Sequence, residues 1–241
     1  MCFAGDLGMI IRSHLVDFPG RLLIQSCILD RFPTVQAASL MKLSAICLDI
    51  GNVICEWNPQ KLIDGAFPDS ADHSAALAAT IGHADWLELD KGTMTVAEAT
   101  ANAISRSDLD PDRLAAVYQD LPASLVPLPD TVAAMHEIRE AGIPLYILSN
   151  MQKHAWDFMH KRDDFWSLVD KVVLSCDCNL IKPDAAIYEY LIAQCNLQPE
   201  SSVFIDDMAE NIEAAIQSGL QGIQLTDRNR GGEVIRELLA R

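Results

Sequence analysis

Apolar residues in this chain fall into two kinds of stretch that alternate: short unbroken runs and longer segments of helical period. Ser44-Ala45-Ile46-Cys47-Leu48 climbs to the carboxylate of Asp49 and breaks almost at once into Gly51-Asn52. A run of that length and composition reads as a buried strand, and Gly-Asn is strand-ending turn chemistry. Comparable runs at 144–148, 171–174, 202–205 and 222–225 predict four more strands. Between them the period lengthens. Pro129-Asp130-Thr131 starts a helix that puts Val132, Met135 and Ile138 on one face and closes at Gly142. Asp184 caps a helix carrying Ile187, Leu191 and Ile192, and a third through Ile212, Ala215 and Ile216 stops at Gly219. Apolar strands separated by helices imply an α/β fold with a parallel sheet covered on both faces.

Residues 58–124 have a different texture. They are rich in alanine, helical in period, and punctuated at Asn58-Pro59, Phe67-Pro68-Asp69, Gly82, Gly92 and Asp110-Pro111. Thr95-Val96-Ala97-Glu98 has the form of a capping box. The expectation is a small helical cap over 58–124, inserted into a core made of 42–57 and 125–241. Residues 1–41 are apolar but cut by Asp6, Arg12, Asp17, Arg21, Asp30 and Arg31, so no uncharged segment long enough for a signal peptide or membrane span survives. They read as an extension ahead of a functional domain that begins near Met41, with an amphipathic helix packed on the core as the competing expectation.

Charge narrows the partners. The formal net charge of −16 over 241 residues argues against nucleic acid or an anionic membrane as a bulk-charge partner. An anionic substrate would then need a local cation. The seven cysteines include no CxxC pair and lie largely in apolar runs, which reads as reduced core thiols and a cytoplasmic setting.

The chemistry lies in position. Asp49, Ser149-Asn150 and Asp206-Asp207 each follow an apolar strand, and in a parallel sheet such strand ends share one edge and one crevice. Lys182, on the loop after another strand, can reach the same place. Three carboxylates held together raise one another's pKa unless a cation shares them. A hard divalent ion with oxygen ligands, Mg²⁺, resolves that and leaves positions for a phosphate. The reaction fitting this set is phosphoryl transfer with Asp49 as nucleophile and Lys182 neutralising charge.

These residues resemble a family. Leu48-Asp-Ile-Gly-Asn-Val53, Leu148-Ser-Asn150, Lys182-Pro183 and Phe204-Ile-Asp-Asp207 with Asn211 are similar, in that order, to the four motifs of the haloacid dehalogenase-like hydrolases. The resemblance covers roughly 42–228. It runs closest to the branch of the glucose-1-phosphate phosphatase-like enzymes and the N-terminal phosphatase domain of soluble epoxide hydrolase, which Asn58-Pro59 and the Trp86…Asp90-Lys-Gly92 stretch also resemble. It implies a Rossmann-like core with a helical cap. Asp49 would be nucleophile and metal ligand; Gly51 (through its carbonyl), Asp206 and Asp207 would complete the Mg²⁺ set. Ser149, Asn150 and Lys182 would hold the phosphoryl group, with Asn211 supporting the metal. The implied substrate is a small phosphorylated metabolite such as a sugar phosphate.

One position departs from the pattern. Most phosphatases that the chain resembles carry a second aspartate, as general acid/base, where this chain has Gly51. Such a group contributes about 10²–10⁴ in rate. Two rivals therefore stand beside the phosphatase: a 2-haloacid dehalogenase, which has no use for Asp206-Asp207, and a catalytically weak binding domain. Trp86, Trp156 and Trp166 read as packing residues. The six histidines show no metal-ligand spacing, and His154 alone lies near a motif.

Overall fold

The computed structural model describes residues 43–241; the expectations for 1–41 lie outside the described residues. Its centre is β1 (Ala45–Leu48), buried at every position. A ribbon of β2 (Cys55–Glu56) follows, then helices α1 (Pro59–Ala66), α2 (His73–Ala79), α3 (Ala84–Asp90), α4 (Val96–Ser105) and α5 (Pro111–Ser124). β3 (Val126–Pro127) returns antiparallel to β2 and closes the insertion at its base. The rest alternates: α6 (Pro129–Glu140), β4 (Leu145–Ser149), α7 (Lys153–Arg162), β5 (Lys171–Leu174), α8 (Ser175–Cys178), α9 (Ala185–Cys195), β6 (Ser202–Asp206), α10 (Ala209–Gln217), β7 (Gln221–Gln224) and α11 (Gly231–Leu239). No helix among the described residues is long and apolar enough to cross a membrane.

The main sheet is parallel, in the order β5-β4-β1-β6-β7. Side chains alternate across it, as the two-residue period of a strand requires. Ile46 and Leu48 point into a core shared with Ala134, Met135 and Ile138 of α6 and Ile235 and Leu238 of α11. Cys47 points the other way, with Phe204, toward Ile187 and Leu191 of α9 and Ile212 and Ala215 of α10. Complete burial of a side chain of Ile or Leu size is worth about 1.5–3 kcal/mol, so β1 is anchored from both faces.

Local signals mark the insertion. Asn58-Pro59, the first of the punctuation points, starts α1: the Asn58 side chain accepts from Lys61 N and Pro59 fills the first helical position. Asp110-Pro111 does the same for α5. The Thr95–Glu98 capping box forms, with both reciprocal bonds present. Two details differ from expectation. Asp184 occupies the N-cap of α9 but its side chain makes no capping bond. Ile216 is 53 % exposed, not core. It lies over the edge strand β7, where its Cγ1 would come within 3.0 Å of a Cβ at Gly222, and no further strand covers it.

Candidate active site

Asp49 is the first residue beyond β1, Ser149 the last of β4 and Asp206 the last of β6, so all three sit on one edge of the sheet. The Asp49 N–H continues the ladder by donating to Ile205 O at 2.9 Å, which fixes the carboxylate at the strand end. The chain then turns tightly: Ile54 and Cys55 N–H both donate to Ile50 O, at 2.9 and 2.8 Å. Asn52 sits in that turn at φ +53°, a left-handed conformation that Asn tolerates.

The three carboxylates each offer an oxygen within 4.8 Å of the others. One cation stands among them. Lys182 Nζ lies 2.6 Å from Asp206 Oδ2 and 2.9 Å from Asp49 Oδ1, the latter an ion contact lacking hydrogen-bond alignment. Lys182 is 4 % exposed and Asp206 fully buried. Burial works against the ammonium, but Asp49 and Asp206 outweigh it and raise the Lys182 pKa. Asp49 is pushed up to about 6, first by burial and further by Asp206, against the pull of Lys182 and the Ser149 hydroxyl. Burial likewise raises Asp207, opposed by its bond from Asn52.

The members of the set differ in how much of each side chain is committed. Asp206 accepts from Lys182, from Met208 N at 2.8 Å, and from Asn211 Nδ2 at 2.9 and 3.0 Å on its two oxygens. Asn211 therefore orients Asp206, and it lines the cavity. Asp207 accepts a bond from Asn52 Nδ2 at 2.9 Å. Asn150 donates to Lys182 O at 3.0 Å and accepts from Lys182 N at 2.9 Å, so its amide fastens the lysine loop. The Gly51 backbone borders the same cavity.

That cavity, about 200 Å³, is lined by Asp49, Gly51, Ser149, Asn150, Lys182, Asp207 and Asn211 from the core. Trp57, Trp86, Asp90, Leu121, Leu125, Met151, Gln152 and Met208 complete its wall. Trp86, read from sequence as packing, reaches the cavity and stacks at 5.9 Å between Trp57 and Tyr118. Sequence reasoning gave no role to Trp57, Asp90, Gln152 or the Asn52 side chain; for Asn52 the signal was present in the Gly-Asn turn and for Asp90 in the Asp90-Lys91-Gly92 stretch, while Trp57 and Gln152 carried none. His154 turns away, its Nε2 3.0 Å from Tyr118 O. Among the described residues the cysteines are free, with Cys47 and Cys55 buried.

A parallel α/β sheet with a buried strand-end aspartate, a paired lysine and further carboxylates at one edge places these polar groups where open α/β sheets hold their ligands. The model of the haloacid dehalogenase-like hydrolases matches residues 43–219. This chain belongs to that family. It is 24 % identical over 183 residues to the sesquiterpene phosphatase astK of Aspergillus oryzae, covering 76 % of this chain and 90 % of that one. It is 25 % identical over 150 residues to (S)-2-haloacid dehalogenase 4A of Burkholderia cepacia, 62 % of each chain. The fold resembles that of the HAD family enzyme bt-2542 of Bacteroides thetaiotaomicron, solved in complex with magnesium and inorganic phosphate. The TM-score is 0.62 at 18 % identity, over 76 % of this chain and 93 % of that one.

Proposed function

We propose that the chain is a Mg²⁺-dependent phosphatase that hydrolyses a small phosphate monoester whose organic group is largely apolar. The observation that carries this is the charge balance at the sheet edge among the described residues: three carboxylates within 4.8 Å and a single lysine among them. A divalent ion suits the deficit of positive charge, and Asp49, Asp207 and the Gly51 carbonyl would hold it, with Asp206 behind them engaged by Lys182 and Asn211. When bound, Mg²⁺ neutralises phosphoryl oxygens and lowers the barrier to attack by an anion. A phosphatase relative and a structural neighbour bound to magnesium and phosphate support the same reading.

The residues then divide the work. Lys182 holds Asp49 ionised and aimed by its contact at 2.9 Å. Asp49 attacks phosphorus, the bond to the leaving oxygen breaks, and an aspartyl-phosphate results. Ser149, buried beside Asp49, takes part in holding the phosphoryl oxygens. Water then cleaves the P–O bond to Asp49 and releases phosphate. Residues 58–124 act as the cap, contributing Trp86, Asp90 and Leu121 to the wall. Trp57, Trp86, Leu121, Leu125, Met151 and Met208 give that wall a large apolar share beside the polar Asp90 and Gln152, which favours a compact apolar group.

The test is phosphate release from 3-methylbutyl phosphate and glucose 1-phosphate, with Mg²⁺ and with EDTA, by wild type and Asp49→Asn. Metal-dependent turnover of the alkyl ester, absent in Asp49→Asn, is the expected result. Halide release from 2-chloropropionate by EDTA-treated protein would move the assignment to the dehalogenases. Turnover equal in wild type and variant would leave only a binding domain.

A further inference from the structure

We propose that Asp90, delivered by the helical insertion, is the general acid that protonates the leaving group and the base that then activates water. This rests on the phosphatase reading above. Expelling an alkoxide requires a proton, and the titratable residues lining the cavity are Asp49, Asp90, Lys182 and Asp207. Asp49 is the attacking group, Lys182 is paired with two carboxylates, and Asp207 belongs to the cluster of three. Asp90 alone of the four has no ion pair and no place in that cluster among the described residues.

Its position is set with care. The Asp90 carbonyl accepts from the Ser175 hydroxyl, which itself accepts from Met151 N at 2.9 Å, so the last turn of α3 is tied through α8 to the loop after β4. Asn179 Nδ2 donates to Lys91 O at 2.9 Å. Gly92, at φ +74°, packs so tightly on α8 that a Cβ there would stand 2.5 Å from Cys176 O. These contacts clamp Asp90-Lys91-Gly92 onto the core and present the Asp90 carboxyl to the cavity. Beside the nucleophile, Gly51 offers no side chain for the role, although a Cβ there would meet only ordinary contacts at 3.6 and 3.8 Å.

The electrostatics agree with that placement. Burial first, and then Asp49, push Asp90 up to about 7, with the Gln152 amide and Lys182 pulling the other way. Gln152 is 2 % exposed and neither polar atom of its amide reaches full hydrogen-bond geometry, so it faces Asp90 with capacity in reserve. The Cys176 thiol on α8 is the other ionisable group beside Asp90. A carboxyl titrating near neutrality can both give and take a proton.

The proton balance closes. In the first step Asp49 bonds to phosphorus, the ester P–O bond breaks, and the Asp90 proton goes to the departing oxygen. In the second, water loses a proton to Asp90 as its oxygen bonds to phosphorus, and the bond to Asp49 breaks with its electron pair returning to the carboxylate.

The experiment compares 3-methylbutyl phosphate, whose alkoxide needs a proton to leave, with p-nitrophenyl phosphate, whose anion does not. Asp90→Asn should lower kcat/KM for the alkyl ester by about 10²–10⁴. With the aryl ester the same variant should give a burst of p-nitrophenolate followed by slow turnover, as phosphoenzyme accumulates. Equal losses on both esters without a burst would overturn the proposal. Asp49→Asn separates the two readings, because if it still turns over p-nitrophenyl phosphate the phosphatase itself is lost. Should Asp90→Asn fail to fold, the wild-type pH profiles decide: an alkaline limb near neutrality for the alkyl ester alone supports Asp90, and identical limbs for both esters exclude it.

Discussion

The Asn150 side chain and the Lys182 backbone hold each other reciprocally, amide to carbonyl at 3.0 Å and N–H to side-chain oxygen at 2.9 Å. A residue directly after β4 thereby sets the loop that carries the buried lysine. Asn150→Ala removes both bonds and leaves two backbone groups without partners. The expected cost is about 1–3 kcal/mol in a urea transition, with a fall in kcat/KM larger than that of a surface Asn→Ala. An unchanged kcat/KM would mean that Lys182 keeps its place without the amide.

The two glycines nearest the chemistry should respond in opposite ways. At Gly51 an added Cβ meets Trp57 Cβ at 3.6 Å and Asp49 Oδ2 at 3.8 Å, so Gly51→Ala should fold with a urea midpoint close to wild type. At Gly92 the left-handed backbone and the approach of Cys176 leave no room. Gly92→Ala should lose about 1–3 kcal/mol and displace Asp90, depressing turnover of alkyl esters. Comparable midpoints for the two variants would contradict the clamp on α8.

Asp90 also makes a prediction about stability. Its folded pKa, about 7, stands above the ordinary 3.8 of the unfolded chain, so the folded state holds the proton more tightly. The favourable contribution is complete below pH 3.8 and is lost as pH rises through 7. Without metal, Asp90→Asn should therefore gain stability relative to wild type between those limits and be the more stable protein at pH 8. Melting temperatures across the range check the sign; a gap that widens in the other direction refutes the proton-holding carboxyl.

Trp86 stacks between Trp57 and Tyr118 on the cavity wall. Truncation to Ala should raise KM for 3-methylbutyl phosphate about tenfold, the equivalent of about 1.4 kcal/mol, while product inhibition by inorganic phosphate changes little. If both constants shift together, Trp86 shapes the core–insertion contact rather than the organic group's pocket.

The pattern of the chain carried the sheet and the location of the chemistry. Runs such as 45–48 and 203–205 are apolar on both faces, which a covered parallel sheet accommodates. Once the strands are parallel, Asp49, Ser149 and Asp206 must share an edge. Helix starts were legible wherever the signal was local, as in the Thr95–Glu98 capping box. What failed was a judgement that needed a neighbour: Ile216 fits the apolar face of α10 by period and is exposed because β7 is the last strand.

Tertiary structure alone decided how the polar groups are shared. Spacing cannot tell that Asn150 binds Lys182 or that Asn52 binds Asp207, because each of these bonds joins segments brought together by the fold. The same holds for Asp90, Trp57 and Trp86, which meet Asp49 around one cavity only after the helical insertion docks through Ser175 and Gly92. Hydrophobic period records which face of an element is buried. It carries no record of what that face meets, and the partners of each side chain follow from that meeting.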